Sequence, residues 1–219
     1  VVIPAFNEAT SLGAVVGDLR RRGPNVVVVD DGSTDETSRV ALETGAVLLR
    51  HRVNLGQGAA LQTGITYALR QGALRIGTFD ADGQHRADDL LALLDALEPS
   101  VAEVALGSRF LGAGAEVPAP RRLVLRAAVV FTRLMSGLAV TDAHNGLRAF
   151  TRRAASAIDL KTCRMAHASE LLDQIARSGL PYRELPVRIA YTDYSLGKGQ
   201  RSTAALRVLF DYLVSRVFD

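Results

Sequence analysis

Carboxylates stand at the ends of apolar runs in three places along this chain. VVVVDDGSTDET (26–37) runs four valines into Asp30 and Asp31, FDADGQH (79–85) sets Asp80 and Asp82 two residues apart, and VVIPAFNE (1–8) ends on Asn7 and Glu8. Adjacent like charges repel, so a fold that keeps them supplies a cation or hydrogen-bond donors. One acidic strand end is equally well explained as a helix cap. Three together argue for a site, because open α/β sheets bind ligands beyond the carboxyl ends of their strands. Carboxylates at i and i+2 at a strand end can face the same way. Asp80 and Asp82 could then hold a hard divalent cation and leave coordination positions for phosphate oxygens. Gln84 lies within reach of the same cation with an oxygen suited to Mg2+ or Mn2+, and the His85 imidazole would suit Mn2+ better.

NLGQGAALQTG (54–64) is glycine-rich and opens a helical pattern. It reads either as a tight turn into a helix or as a phosphate cradle of backbone N–H groups. It is no dinucleotide fingerprint, since Leu61 stands where the last glycine belongs, and it lacks the GK[ST] ending of a P-loop. A nicotinamide dehydrogenase and a P-loop NTPase are set aside on that ground.

Alternating strands and helices must position these groups. Apolar runs at 1–4, 25–29, 46–51, 75–80 and 101–108 read as five strands. Between them, helices are expected at 10–22, from a Ser33/Glu36 capping box to Thr44, at 58–70 and at 87–97. That rhythm predicts an α/β fold with a parallel sheet. The second half breaks it. GAGAEVPAP (112–120) reads as an exposed lid-like loop, followed by helix to about Ser136, the GLRAF run, a helix over 167–177, a hairpin or strand pair over 182–191 and a last helix from Ser202. No polar linker separates the halves, so one domain over 1–219 is expected.

With 26 Lys and Arg against 23 Asp and Glu, the net charge of +3 is too balanced to argue for nucleic acid. The single cysteine, Cys163, excludes an intrachain disulfide and fits a reducing, cytoplasmic setting. The most apolar run, LVLRAAVVF (123–131), contains Arg126 and is too short to span a bilayer.

In this order, VVIPAFNE, VVVVDDGSTDET, NLGQGAAL, FDADGQH, GSRF and TDAHNGLRAF resemble the family 2 inverting glycosyltransferases of the GT-A fold. They are most similar to the branch of dolichyl- and polyprenyl-phosphate mannose or glucose synthases. The resemblance implies a mostly parallel central sheet flanked by helices. Residues 1–110 would form the nucleotide-sugar half and 111–219 the acceptor half. Pro4, Ala5, Asn7, Glu8, Asp30 and Asp31 would hold the base and ribose of a UDP- or GDP-sugar, with Asp80 and Asp82 on its diphosphate. Mg2+ or Mn2+ would sit on Asp80, Asp82 and Gln84. At Gln57 related sequences often carry lysine, and glutamine cannot neutralise phosphate.

A hydroxyl acceptor needs a general base, whereas a lipid phosphate is already an anion and needs positive charge. Asp142 in TDAHNGLR is the base candidate, with His144 read as a local contact. Arg109, Arg121, Arg122, Arg148, Lys198 and Arg201 are the candidates for an acceptor phosphate, although Arg148 and Arg201 read equally as structural ion-pair partners. Leu125 stands where the branch usually has a serine. The expectation is transfer to a polyprenyl phosphate, with a hydroxyl acceptor in polysaccharide or cell-envelope glycan synthesis as the alternative. An intact DxD argues against a non-catalytic nucleotide-binding module, and VVIPAFNE against a nucleotidyltransferase. A lipid acceptor would put the enzyme at the inner face of the membrane. There the amphipathic stripe Leu206, Leu209, Phe210, Leu213, Val214, Val217 and Phe218 could meet the lipid surface or a small membrane protein.

Overall fold

Val2–Ala5 forms β1, a run with every residue buried. Its side chains alternate between two cores, as a pleated strand requires. Val2 joins Val27, Val29, Ile76 and Phe150 on one face of the sheet, and Ile3 joins Val28, Ala105 and Ala149 on the other. The computed structural model describes residues 1–112, 129–130, 132–133, 136–143, 145–161 and 167–190.

The first half follows the expected rhythm. Helix α1 (Ala9–Arg21) buries Leu12, Val15, Val16 and Leu19, the positions its periodicity singles out; each such burial stabilises the fold by roughly 1.5–3 kcal/mol. Strand β2 (Val27–Asp30) leads to α2 (Thr37–Glu43), β3 (Val47–Arg50), α3 (Gln57–Arg70), β4 (Arg75–Thr78), α4 (Ala87–Asp95) and β5 (Val104–Ser108). Gly56, with φ of 97°, makes the turn into α3 that a side chain would strain.

Then come β6 (Arg148–Thr151), α5 (Arg152–Ser156), α6 (His167–Arg177) and β7 (Tyr182–Pro186). The seven strands form one sheet in the order β3-β2-β1-β4-β6-β5-β7. Strand β6 runs antiparallel to both β4 and β5, and the other pairs are parallel. Helices α1, α2 and α4 cover one face, and α3, α5 and α6 the other.

Three expectations change. The Ser33/Glu36 capping box does not form: Ser33 Oγ accepts the Asn7 N–H at 2.9 Å, and α2 begins later, at Thr37. The described part of 182–191, residues 182–190, makes no hairpin; β7 pairs in parallel with β5, and Ile189 forms an isolated bridge to His85. Strand β4 ends at Thr78, so Asp80 and Asp82 lie on the loop beyond it and not on its pleat. Arg121, Arg122, His144, Lys198, Arg201, the stripe 206–218 and all but the first residue of the 112–120 loop lie outside the described residues.

Candidate active site

The chain winds from β1 outward through β2 and β3, then returns to place β4 on the other side of β1. Such a reversal opens a crevice beyond the strand ends. A cleft of about 420 Å³ lies there. Its walls include Pro4 and Ala5 at the end of β1, Phe6 and Glu8 after it, Asp31 after β2, Asn54 and Gly56 before α3, Gln57 at its start, and Asp80 and Asp82 after β4.

Of the two adjacent aspartates, only Asp31 reaches the cleft. Asp30 is completely buried and satisfied by protein, accepting the Ser33 N–H at 2.8 Å and the Ser38 hydroxyl. Asn7 likewise shapes the wall. It takes a left-handed conformation (φ 56°) and accepts the Thr34 N–H at 2.9 Å, tying the loop after β1 to the loop after β2. Asp31 fastens the glycine-rich loop, accepting the N–H groups of Leu55 at 2.9 Å and Gly56 at 2.7 Å. His51 Nδ1 lies 2.7 Å from the same carboxylate, and its Nε2 lies 3.0 Å from Thr63 Oγ1. The loop thus hangs from Asp31, which sequence reasoning had given to the nucleotide alone.

Asp80 is held on three sides. Gln57 Nε2 donates to Oδ1 at 3.2 Å, and His85 Nε2 lies 2.9 Å from Oδ2. Gly146 backs the carboxylate so closely that a Cβ there would meet Oδ2 at 2.2 Å. Burial pushes the Asp80 carboxyl up. The His85 hydrogen bond and the charges of His85, Arg148 and His167 outweigh it, leaving the group below its ordinary value. Asp82 moves the other way: burial raises it, Asp80 and Glu8 add to the rise, and the Gln84 N–H at 3.0 Å opposes it. Two neighbouring carboxylates pushed apart in this manner fit a cation that would relieve both.

Among the described residues no three His, Cys, Asp or Glu side chains converge as a ready metal cage. The cation would rest on Asp80 and Asp82 and draw further oxygens from Gln84, phosphate and water, as Mg2+ commonly does. His85 spends Nε2 on Asp80, and its buried Nδ1 has no hydrogen-bond partner among the described residues.

The second half supplies two buried arginines, Arg109 and Arg148. Arg109, at the end of β5, and Asp142 form a buried fork: Nε donates to Oδ2 at 2.6 Å, Nη2 to Oδ1 at 2.7 Å, and the Arg109 N–H to Oδ2 at 3.1 Å. The acceptor-phosphate candidate and the base candidate are therefore each other's partners. Arg148, 3% exposed at the start of β6, lies within the fields of both Asp80 and Asp142. Its burial lowers the guanidinium to about 10, and the two carboxylates pull it back up.

A mostly parallel sheet with paired carboxylates in its switch-point crevice is the arrangement of the GT-A fold. The fold is shared with glucosyl-3-phosphoglycerate synthase from Mycobacterium tuberculosis, crystallised with Mn2+ and UDP-glucose. The TM-score is 0.72 at 21% identity, over 98% of this chain and 77% of that one. Residues 1–158 match the model of Glycosyl transferase family 2, and the chain belongs to that family. It is 34% identical to the polyprenol monophosphomannose synthase of Mycolicibacterium smegmatis, over 94% of this chain and 82% of the relative. It is 28% identical to the UDP-N-acetylglucosamine–dolichyl-phosphate N-acetylglucosaminyltransferase of Methanococcus voltae, over 99% and 95%.

Proposed function

We propose that this glycosyltransferase moves a hexosyl group, with inversion, from a UDP- or GDP-sugar to a polyprenyl phosphate. The observation that carries the choice of acceptor is the Arg109–Asp142 fork. A carboxylate with both oxygens committed to a buried guanidinium is poorly placed to take a proton from a hydroxyl. A phosphate acceptor needs no such base. Its oxygen forms the bond to the anomeric carbon while the bond from that carbon to the diphosphate oxygen breaks, and the electron pair leaves with the nucleoside diphosphate.

Pro4, Ala5, Glu8 and Asp31 line the cleft and take the nucleotide, while Asn7 and Asp30 act through the backbone they hold. Asp80 and Asp82, with Gln84, would hold Mg2+ or Mn2+, which would supply positive charge to the leaving diphosphate. Arg109 and Arg148 supply positive charge to the acceptor phosphate, and Arg121, Arg122, Lys198 and Arg201 are proposed to add to it. Among the described residues no helix is long and apolar enough to cross a membrane. The lipid acceptor is proposed to be met at the inner membrane surface or on a small membrane partner.

The test offers UDP- and GDP-sugars with Mn2+ or Mg2+ to three acceptors: a short polyprenyl phosphate, the corresponding polyprenol, and a free sugar. Transfer to the phosphate alone, with the anomeric configuration inverted by NMR, is expected. Transfer to either hydroxyl acceptor in preference to the phosphate overturns the reading.

A further inference from the structure

Glu184 lies on β7, the edge strand, opposite Leu106 of β5. Its carboxylate does not line the cleft. It reaches instead to the loop that carries Asp142. The Thr141 N–H donates to both oxygens, at 2.8 and 2.9 Å, the Thr141 hydroxyl donates at 3.1 Å, and the Asp142 N–H adds a longer contact at 3.4 Å. Thr141 Oγ1 also lies 2.6 Å from Ser108 Oγ, which accepts the Phe110 N–H at 3.2 Å. One carboxylate therefore gathers two consecutive backbone donors and, through Thr141, the end of β5 on either side of Arg109.

We propose that Glu184 is the positioning residue of the acceptor side: it holds the backbone of Thr141 and Asp142 so that the Asp142 carboxylate fixes the direction of the Arg109 guanidinium. The inference rests on the reading of Arg109 as an acceptor-phosphate group. The structural logic is that residues 137–143 form no strand and no helix. They have no ladder to set the register of Asp142, so its placement depends on the hydrogen bonds its own backbone makes. A charged acceptor facing two adjacent N–H groups makes stronger bonds than a neutral one would. The Arg109 fork then inherits that precision, since a bidentate pair tolerates little rotation. On the donor side the described hydrogen bonds do not involve Glu184: Asp80 is held by Gln57 and His85, and Asp31 by the loop before α3.

Two variants test this, Glu184→Gln and Glu184→Ala. The glutamine keeps the shape and one acceptor oxygen; the alanine removes both. The first readout is the Arg109 Nε–H resonance, assigned by its loss in Arg109→Lys, which reports the fork whatever the acceptor is. It is expected to shift or broaden in Glu184→Gln and further in Glu184→Ala. The second is the split between substrates. The KM for polyprenyl phosphate should rise between about ten- and a hundred-fold in Glu184→Ala, the range expected for a misplaced binding group. The Kd of the nucleoside diphosphate with Mn2+ should stay within about two-fold of the parent value, and Glu184→Gln should lie between. An unchanged Arg109 resonance, or parallel losses in acceptor and donor binding, overturns the proposal. If the parent enzyme does not use polyprenyl phosphate while the resonance moves as expected, the acceptor reading fails and the positioning of Arg109 stands.

Discussion

Replacing Gly146 by alanine strikes from behind the Asp80 carboxylate, which is proposed to hold the cation. The added Cβ would lie 2.2 Å from Asp80 Oδ2, 2.6 Å from Oδ1 and 2.7 Å from Cγ, where ordinary contact begins at 3.4 Å. The nearer oxygen must therefore retreat by about 1.2 Å. The carboxylate cannot rotate away freely, because His85 and Gln57 each hold one oxygen. Gly146 is not among the residues of positive φ, so alanine suits its backbone and the damage stays at the carboxylate. Overpacking costs about 1–3 kcal/mol, offset by about 0.4–1 kcal/mol from the stiffer unfolded chain. The protein should therefore stay folded. A displacement of this size in a positioning group costs about a hundred-fold in turnover. The assay is a calorimetric Mn2+ titration in the presence of UDP or GDP, alongside kcat with the polyprenyl phosphate. At least ten-fold weaker Mn2+ binding and a kcat loss of about a hundred-fold are expected, with an unchanged far-UV spectrum. Parent-like Mn2+ affinity and turnover in Gly146→Ala would refute the assignment of Asp80 to the cation.

Asp82→Ala should abolish transfer and remove Mn2+-dependent nucleotide binding while the fold persists, since one of two carboxylates carries much of the cation's affinity; full activity in excess EDTA would sink this. Glu103 is buried at the base of β5, where it accepts the Thr151 hydroxyl and the Ser100 N–H and pairs with Arg153 at 3.3 Å. The Thr151 hydrogen bond, followed by the Ser100 N–H, holds its carboxyl below the ordinary value. A depressed folded pKa gives stability that is present above the unfolded value and lost as pH falls through the folded one. Glu103→Gln should thus cost about 1–3 kcal/mol at neutral pH, and urea melts should show the gap to the parent closing as pH falls below about 4.3. A gap independent of pH would remove the charge from the explanation.

Local pattern carried most of the first half. Leu12, Val15, Val16 and Leu19 recur at helical spacing and are the buried face of α1. The four valines of 26–29 are buried as one would expect of a strand covered on both faces. Both readings need only residues within a few positions of one another. The acidic strand ends were legible for the same reason, and the order of six motifs was enough to reach the glycosyltransferase family. What local pattern could not carry was partnership. Asp30 and Asp31 are indistinguishable as letters, yet one is enclosed by protein donors while the other, holding the loop before α3, also lines the cleft.

Only the tertiary structure decided the pairings of the second half. Strand β6 inserts antiparallel between β4 and β5, which sets Gly146 behind Asp80 and Arg148 between two carboxylates. Arg109 meets Asp142 across 33 positions of chain, and Glu184 meets Thr141 across 43. No periodicity links residues so far apart. Their pairing is chosen by which buried charge and which unladdered N–H must find a partner once the sheet has closed over them.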